Sequence, residues 1–318
     1  MKTHLQELSE GGEMKSELKK LSRRVSLLEA PEYHFPYCNT ILIEDDACCI
    51  IDTSVTEDAL HYLRSKHIDL IISTHYHVDH NRYNSHFPQA KIMAHEADFP
   101  YLSSRERFIS AAGSQYVGVD LSRYLTLDQW GYEFREPHET MNDGRIIDLG
   151  HTRFEVIHLP GHTLGHCGFL FPDLGLLFST DIDLDRFGPW YGNAVCNVSD
   201  FIDSIDRVIN LKPEMLITSH ASGPITSNIQ GRLTRYRDEI YRREQEVINA
   251  IYRGKHTLWE IVDENIIYRK FHEPQWRYYE WFMIKQHVLR LIDLGKVFAD
   301  SDRYYLYDGV RPSNLNLA

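Results

Sequence analysis

Short apolar runs that close on a polar or ionisable residue recur through much of this chain. Val25-Ser26-Leu27-Leu28, Asn39-Thr40-Ile41-Leu42-Ile43 and Cys48-Cys49-Ile50-Ile51-Asp52 read as strands, and Glu44-Asp45-Asp46-Ala47 reads as a hairpin turn. Residues 57–66 read as a helix and Ile68 to Ser73 as a buried strand. Asn142 to Gly150 supplies a turn and a strand, and Phe154–Ile157, Leu176–Phe178 and Met215–Ile217 add further strand-like segments. Strand pairs with interspersed helices predict an α/β (α+β) fold and fit a four-layer αββα sandwich. Residues 1–23 are polar with scattered leucines, which suggests a loosely attached helical lead-in.

The pattern changes after residue 226. Arg232 to Arg253 reads as a long, charged amphipathic helix. Thr257 is placed to cap a second helix through Leu258-Trp259-Glu260-Ile261-Val262, and Trp276 to Leu294 is a third. Gly295–Phe298 and Tyr304–Tyr307 read as a strand pair across Asp300-Ser301-Asp302. The expected division is a lead-in (1–23), a main domain (24–226) and a helical, winged-helix-like region (227–318).

Composition narrows the field. The chain has 318 residues, 25% charged and 42% hydrophobic, as expected of a globular protein with a sizeable core. No apolar run approaches the ~20 residues that span a bilayer, and the N-terminus lacks the apolar stretch of a secretion signal. Five cysteines (Cys38, Cys48, Cys49, Cys167, Cys196) include no Cys-x-x-Cys pair, which favours reduced thiols and a cytoplasmic setting. Net charge is −12. Residues 230–318 carry 15 Lys+Arg against 13 Asp+Glu, and the remainder 19 against 33, so no basic stripe stands out. Nucleic acid is therefore a disfavoured partner.

Chemistry is concentrated in Thr74-His75-Tyr76-His77-Val78-Asp79-His80-Asn81, at the mouth of the Ile68–Ser73 strand. Imidazoles and a carboxylate at this spacing suit a borderline divalent ion, and a loop lets alternate side chains diverge toward two ions. Leu159-Pro160-Gly161-His162-Thr163-Leu164-Gly165-His166, the run ending at Asp181, and the run ending at His220 supply partners. Each candidate closes a short apolar segment, so all gather at one end of a sheet.

Here the chain resembles the metallo-β-lactamase-fold hydrolases, the glyoxalase II and lactonase-like members in particular. Their His-x-His-x-Asp-His run, followed by His, Asp and His, is matched at all seven positions over roughly residues 25–225. The resemblance implies two adjacent metal ions: His75, His77 and His162 for the first, Asp79, His80 and His220 for the second, with Asp181 bridging. Zinc is the first expectation, with iron or manganese as alternatives. A bridging carboxylate offsets the repulsion between two cations, and the same ions lower the pKa of a bridging water to give a nucleophilic hydroxide. Asp79 is the candidate catalytic proton acceptor. Asp52 lies where the family has an acid supporting the site, or it caps a turn.

The 81 residues between His80 and His162 are more than this family needs, and the excess falls in 97–136. Its aromatics suit a lid, a homodimer contact or extra core. Phe187-Gly188-Pro189-Trp190-Tyr191-Gly192 follows Asp181, and Phe187, Trp190 and Tyr191 are candidates for substrate binding or for packing on the core. His166 is a candidate for substrate contact, for support of the metal site, or for a structural hydrogen bond. His95, His138, His151 and His158 have no matching partner. There is no Gly-x-Ser-x-Gly elbow and no phosphate-binding glycine loop. The expected function is dinuclear metal-dependent hydrolysis of a small ester, thioester or lactone. A nuclease or phosphodiesterase is the alternative, and an iron-dependent sulfur dioxygenase-like enzyme the weaker one.

Overall fold

A computed structural model describes residues 17–124 and 127–310. The first sheet has seven strands in sequence order: β1 (Glu17–Lys20), β2 (Val25–Glu29), β3 (Thr40–Glu44), β4 (Cys48–Ile51), β5 (Leu70–Ile72), β6 (Lys91–Ala94) and β7 (Glu139–Thr140). β1 to β4 are antiparallel, with β3 and β4 joined through the predicted turn, and β4 to β7 run parallel. Helix α1 (Glu57–Arg64) makes the β4–β5 crossover. The four-residue α2 (Val78–Asn81) carries part of the histidine run, and α3 (Phe99–Ser103), α4 (Arg105–Ala112) and α5 (Ser114–Val117) follow β6.

The second sheet contains β8 (Ile146–Asp148), β9 (Arg153–His158), β10 (Cys167–Phe171), β11 (Leu176–Phe178) and β12 (Met215–Ile217), with α6 (Val198–Leu211) crossing between the last two. β11 and β12 are parallel. The C-terminal region comprises α7 (Ile229–Tyr252), α8 (Leu258–Val262), α9 (Pro274–Asp293) and the hairpin β13 (Val297–Asp300) with β14 (Arg303–Leu306). Thr257 caps α8 in a reciprocal box with Glu260.

Alternation assigns the layers. Ile41, Ile43, Cys49, Ile51 and Ile72 of the first sheet meet Phe154, Val156, Phe169, Phe178 and Ile217 of the second in a shared inner core. Leu42, Ile50 and Ile71 point the other way and pack on Ala59, Leu60 and Leu63 of α1. Ile157, Leu177 and Leu216 face outward onto α6. Strands buried on both faces explain why the runs are almost wholly apolar. The αββα layering is thus the observed architecture.

One expectation is corrected. Residues 17–20, read as helical, form the edge strand β1 paired to β2; residues 1–16 lie outside the described part. Leu233, Ile240, Val247, Phe282 and Ile284 of the C-terminal region belong to the same buried cluster as Ile157, Leu177 and Phe201. In the 97–136 excess, Leu102, Phe108, Leu127 and Tyr132 enclose Tyr76, which is the extra-core alternative for this segment. Among the described residues no helix is long and apolar enough to cross a membrane.

Candidate metal centre

Parallel β4, β5 and β6 end on the same side, as do β11 and β12, so the residues that follow them share one rim. Asp52 follows β4, the histidine run follows β5, Asp181 follows β11 and His220 follows β12. The loop after β9 adds His162. One donor atom from each of His75, His77, His162 and Asp181 falls within 4.8 Å of the others, and the same holds for Asp79, His80 and His220. His162 Nε2 is 3.2 Å and His75 Nε2 3.7 Å from one Asp181 oxygen, while His80 Nε2 is 3.1 Å from the other.

The hydrogen bonds fix which nitrogen each ring presents. Thr74 Oγ1 donates to Asp52, so it accepts from His75 Nδ1 at 3.0 Å. His162 Nδ1 donates to the Trp190 carbonyl at 2.9 Å, His220 Nδ1 to the Tyr37 carbonyl at 3.1 Å and His80 Nδ1 to Asp52 at 2.7 Å. With the ring proton placed on Nδ1, each of these rings turns its Nε2 to the centre. His75 Nε2 and His162 Nε2 both stand 3.0 Å from His77 Nδ1. His80 Nε2 and Asp181 Oδ1 are buried without a hydrogen-bond partner. Acceptors aimed at acceptors in a buried site are what a cation requires.

Proton affinities agree. Burial and neighbouring imidazoles (His80 for the first, His162 for the second) hold His75 and His77 well below the usual imidazole range, hence neutral. Burial also opposes charge on His80 and His220, but it is outweighed. Asp181 and Asp52 hold His80 well above the ordinary range, and Asp183 with Asp181 pushes His220 up to about 10. Burial would raise Asp181, yet the imidazoles of His80 and His75 keep it well below the carboxylate range. The pocket thus calls for positive charge, as protons or as metal ions. Cys38 also lies near Asp52 and His80, and burial raises its thiol well above its usual value.

Several supporting residues carry no signal in the sequence. Asp98, from the inserted segment, accepts from Tyr76 N at 2.9 Å, Thr163 Oγ1 at 2.9 Å and Gly165 N at 2.8 Å, tying the two histidine loops together. A side chain at Gly165 would meet the Asp98 carboxyl at 2.7 Å, so glycine is needed there. Asn81 Nδ2 donates to the carbonyls of His75 and His77. Asp183 joins Asp181 and His220 as a further donor set and accepts from the His220 backbone at 3.0 Å.

Of the four residues named for substrate contact, His166 and Trp190 border the centre. His166 is wholly buried, with Nδ1 donating to the Leu159 carbonyl and Nε2 accepting from Thr180 Oγ1 and Asp181 N. It holds the backbone of Asp181 and has no face open to a ligand. Tyr191 is equally buried, and its hydroxyl meets His287 and Arg243. Phe187 packs on Tyr268 beneath the Arg243 guanidinium. Trp190 borders the centre from the partly exposed side, its ring 5.7 Å from His77 and 5.6 Å from His162.

Comparison with known proteins agrees with this arrangement. The acyl-coenzyme A thioesterase MBLAC2 of Bos taurus is 26% identical over 152 residues, 46% of this chain and 53% of that protein. The chain thus spans about half the length of the thioesterases it matches. A hydroxyacylglutathione hydrolase of Vibrio campbellii is 28% identical over 224 residues, 67% of this chain and 75% of that one. Among solved structures, a metallo-beta-lactamase family protein from Thermus thermophilus shares the fold with a TM-score of 0.74 at 20% identity, covering 91% of this chain and 100% of that one. The sequence profile described as the Metallo-beta-lactamase superfamily matches residues 35–220, which is more than half of the chain and includes all seven centre residues, so the chain belongs to that superfamily.

Proposed function

We propose that this chain is a dinuclear metal-dependent hydrolase of thioesters, with small esters and lactones as related substrates. The observation that carries the reading is the convergence of imidazole Nε2 atoms on the buried Asp181 carboxylate, one oxygen of which makes no hydrogen bond. His75, His77 and His162 would hold one ion, Asp79, His80 and His220 the other, and Asp181 would lie between them. Bound there, the ions would supply a water nucleophile at neutral pH and polarise the acyl carbonyl. In the net reaction water adds to the acyl carbon and the carbon–sulfur bond breaks, giving a carboxylic acid and a thiol. The ligand set suits zinc, and iron or manganese would also be accepted.

The chain's own residues do the rest. Asp79 stands 3.6 Å from His220 Nε2 on the more open side, where its carboxylate would take the proton released by water. The Trp190 indole excludes water from the face beside His77 and His162 and offers an apolar wall to an acyl group. Two relatives named as hydrolases of acyl conjugates support the substrate class. The overall charge of −12 disfavours polyanions. The test is elemental analysis of the purified protein together with turnover of a panel of thioesters, lactones and phosphodiesters. About two equivalents of metal and thioester turnover are expected. Phosphodiester cleavage without acyl turnover would replace this reading with the nuclease one, and a single iron with thiol oxidation would replace it with the dioxygenase one.

A further inference from the structure

Two of the three histidines in the His75/His77/His162 set take their outward hydrogen bonds from one short segment, Phe187–Asn193. His162 Nδ1 donates to the Trp190 carbonyl. His77 turns its Nδ1 toward the centre and leaves Nε2 facing the Asn193 amide at 3.0 Å. That amide also lies 2.9 Å from the Tyr76 hydroxyl. With His77 Nδ1 given to a cation, its proton sits on Nε2 and needs an acceptor. Oxygen and nitrogen of an asparagine amide are interchangeable by a half-turn. In the metal-bound state Asn193 Oδ1 is then the atom that faces His77 Nε2–H and the Tyr76 hydroxyl.

The segment is itself fixed from the C-terminal helices. Arg243 of α7 is 1% exposed, a costly place for a guanidinium unless its donors are filled. They are filled by the carbonyls of Phe187 and of Pro189 (2.6 Å), by the Tyr191 hydroxyl (3.3 Å) and by Glu239 (3.3 Å). His287 of α9 holds the same Tyr191 hydroxyl at 2.8 Å, and Trp190 Nε1 donates to Tyr268 at 3.0 Å. Gly188 has φ of 84°, and a side chain there would meet Glu239 at 2.7 Å and the guanidinium at 3.1 Å, so the backbone is drawn tightly onto α7.

We infer that Arg243 and Asn193 are positioning residues for one half of the metal centre. Arg243 sets the Phe187–Asn193 segment, and that segment sets the ring orientation and tautomer of His162 and His77. The C-terminal helices are on this account a structural part of the centre. The set made of Asp79, His80 and His220 is oriented independently, by Asp52 and Tyr37.

The inference rests on the dinuclear reading, and the test separates the two. Metal affinity of the full chain is titrated against a chromogenic chelator, and the cobalt-substituted protein is followed by its visible absorption. If the unaltered protein binds no metal, the dinuclear reading fails first. Given two equivalents, Arg243→Met and Asn193→Leu are each expected to weaken one equivalent by about ten- to a hundredfold and leave the other in place. The cobalt bands of one site should change with it. Asn193→Asp keeps an acceptor toward His77 Nε2–H and is expected to hold both equivalents with near-normal affinity. Asn193 touches none of the Arg243 contacts, so its pair of variants reports even where Arg243→Met does not fold. Unchanged affinity in Asn193→Leu, equal loss from both sites, or loss in Asn193→Asp as severe as in Asn193→Leu would each overturn the inference.

Discussion

Oδ2 of Asp52 stands 2.7 Å from Nδ1 of His80, and the same carboxylate takes Thr74 N and Thr74 Oγ1 at 2.9 Å each. The carboxylate therefore fixes the His80 tautomer and, through Thr74, the orientation of His75. Asp52 is fully buried and sits at φ of 62°, a left-handed conformation that aspartate tolerates better than most residues.

Replacing Asp52 with alanine should weaken metal binding by about ten- to a hundredfold, since the orientation of two ligands is lost. Three buried donors are also left unpaired, at about 1–3 kcal/mol each before relaxation. Asp52→Asn should retain more stability than the alanine variant but still lose metal affinity, because an amide cannot accept all three bonds. Chelator competition and urea unfolding would measure the two effects. Full metal affinity in Asp52→Ala would show that His80 is oriented by other means.

Asp98→Ala is expected to destabilise the chain by about 3 kcal/mol or more, because Tyr76 N, Thr163 Oγ1 and Gly165 N lose their shared acceptor inside the protein. Metal affinity should fall with it, since those donors carry both histidine loops. Denaturant midpoints with and without metal are the measurement. A change of less than about 0.5 kcal/mol, the scale of an ordinary surface substitution, would contradict the tie between the loops.

Trp190 has two separable roles. Its carbonyl orients His162, and its indole walls the centre. Trp190→Ala keeps the carbonyl and removes the wall together with the indole bond to Tyr268; with Arg243 still holding the segment, metal content should stay normal while KM for a thioester rises more than kcat falls. A variant that loses metal but keeps KM would reverse that assignment.

The seven centre residues are legible in the sequence because each closes an apolar run, and a run buried on both faces is hard to mistake. What stays hidden acts over distance. Asp98 bonds to Gly165, 67 positions away, and Arg243 bonds to Phe187 across 56. Arg243 sits in a helix rich in charges, and nothing local separates its buried guanidinium from the exposed ones around it. β1, made of Glu17-Leu18-Lys19-Lys20, is hidden for another reason: it is an edge strand whose pairing with β2 outweighs its polar composition. The shared core of the C-terminal region is unreadable because an amphipathic helix shows that it has an apolar face but not what covers it.

His95 should give the acid limb of stability a component that can be removed. Its ring caps a short helical turn by accepting from Ala97 N through Nδ1, and it stacks on His158 with centroids 4.0 Å apart. Both features favour the neutral ring. Burial, reinforced by His158, brings its pKa down to about 4. In the unfolded chain the value is about 6.5, so between these limits the unfolded state binds more protons and stability rises with pH. The contribution from His95 is present in full above pH 6.5 and is lost as pH falls toward 4. His95→Asn keeps an oxygen acceptor for Ala97 N but does not titrate. The stability gap between the unaltered protein and His95→Asn should therefore shift steadily against the unaltered protein from pH 7 to pH 4. Urea unfolding at matched metal content would follow it. Parallel curves across that range would mean that His95 does not titrate between the folded and unfolded states.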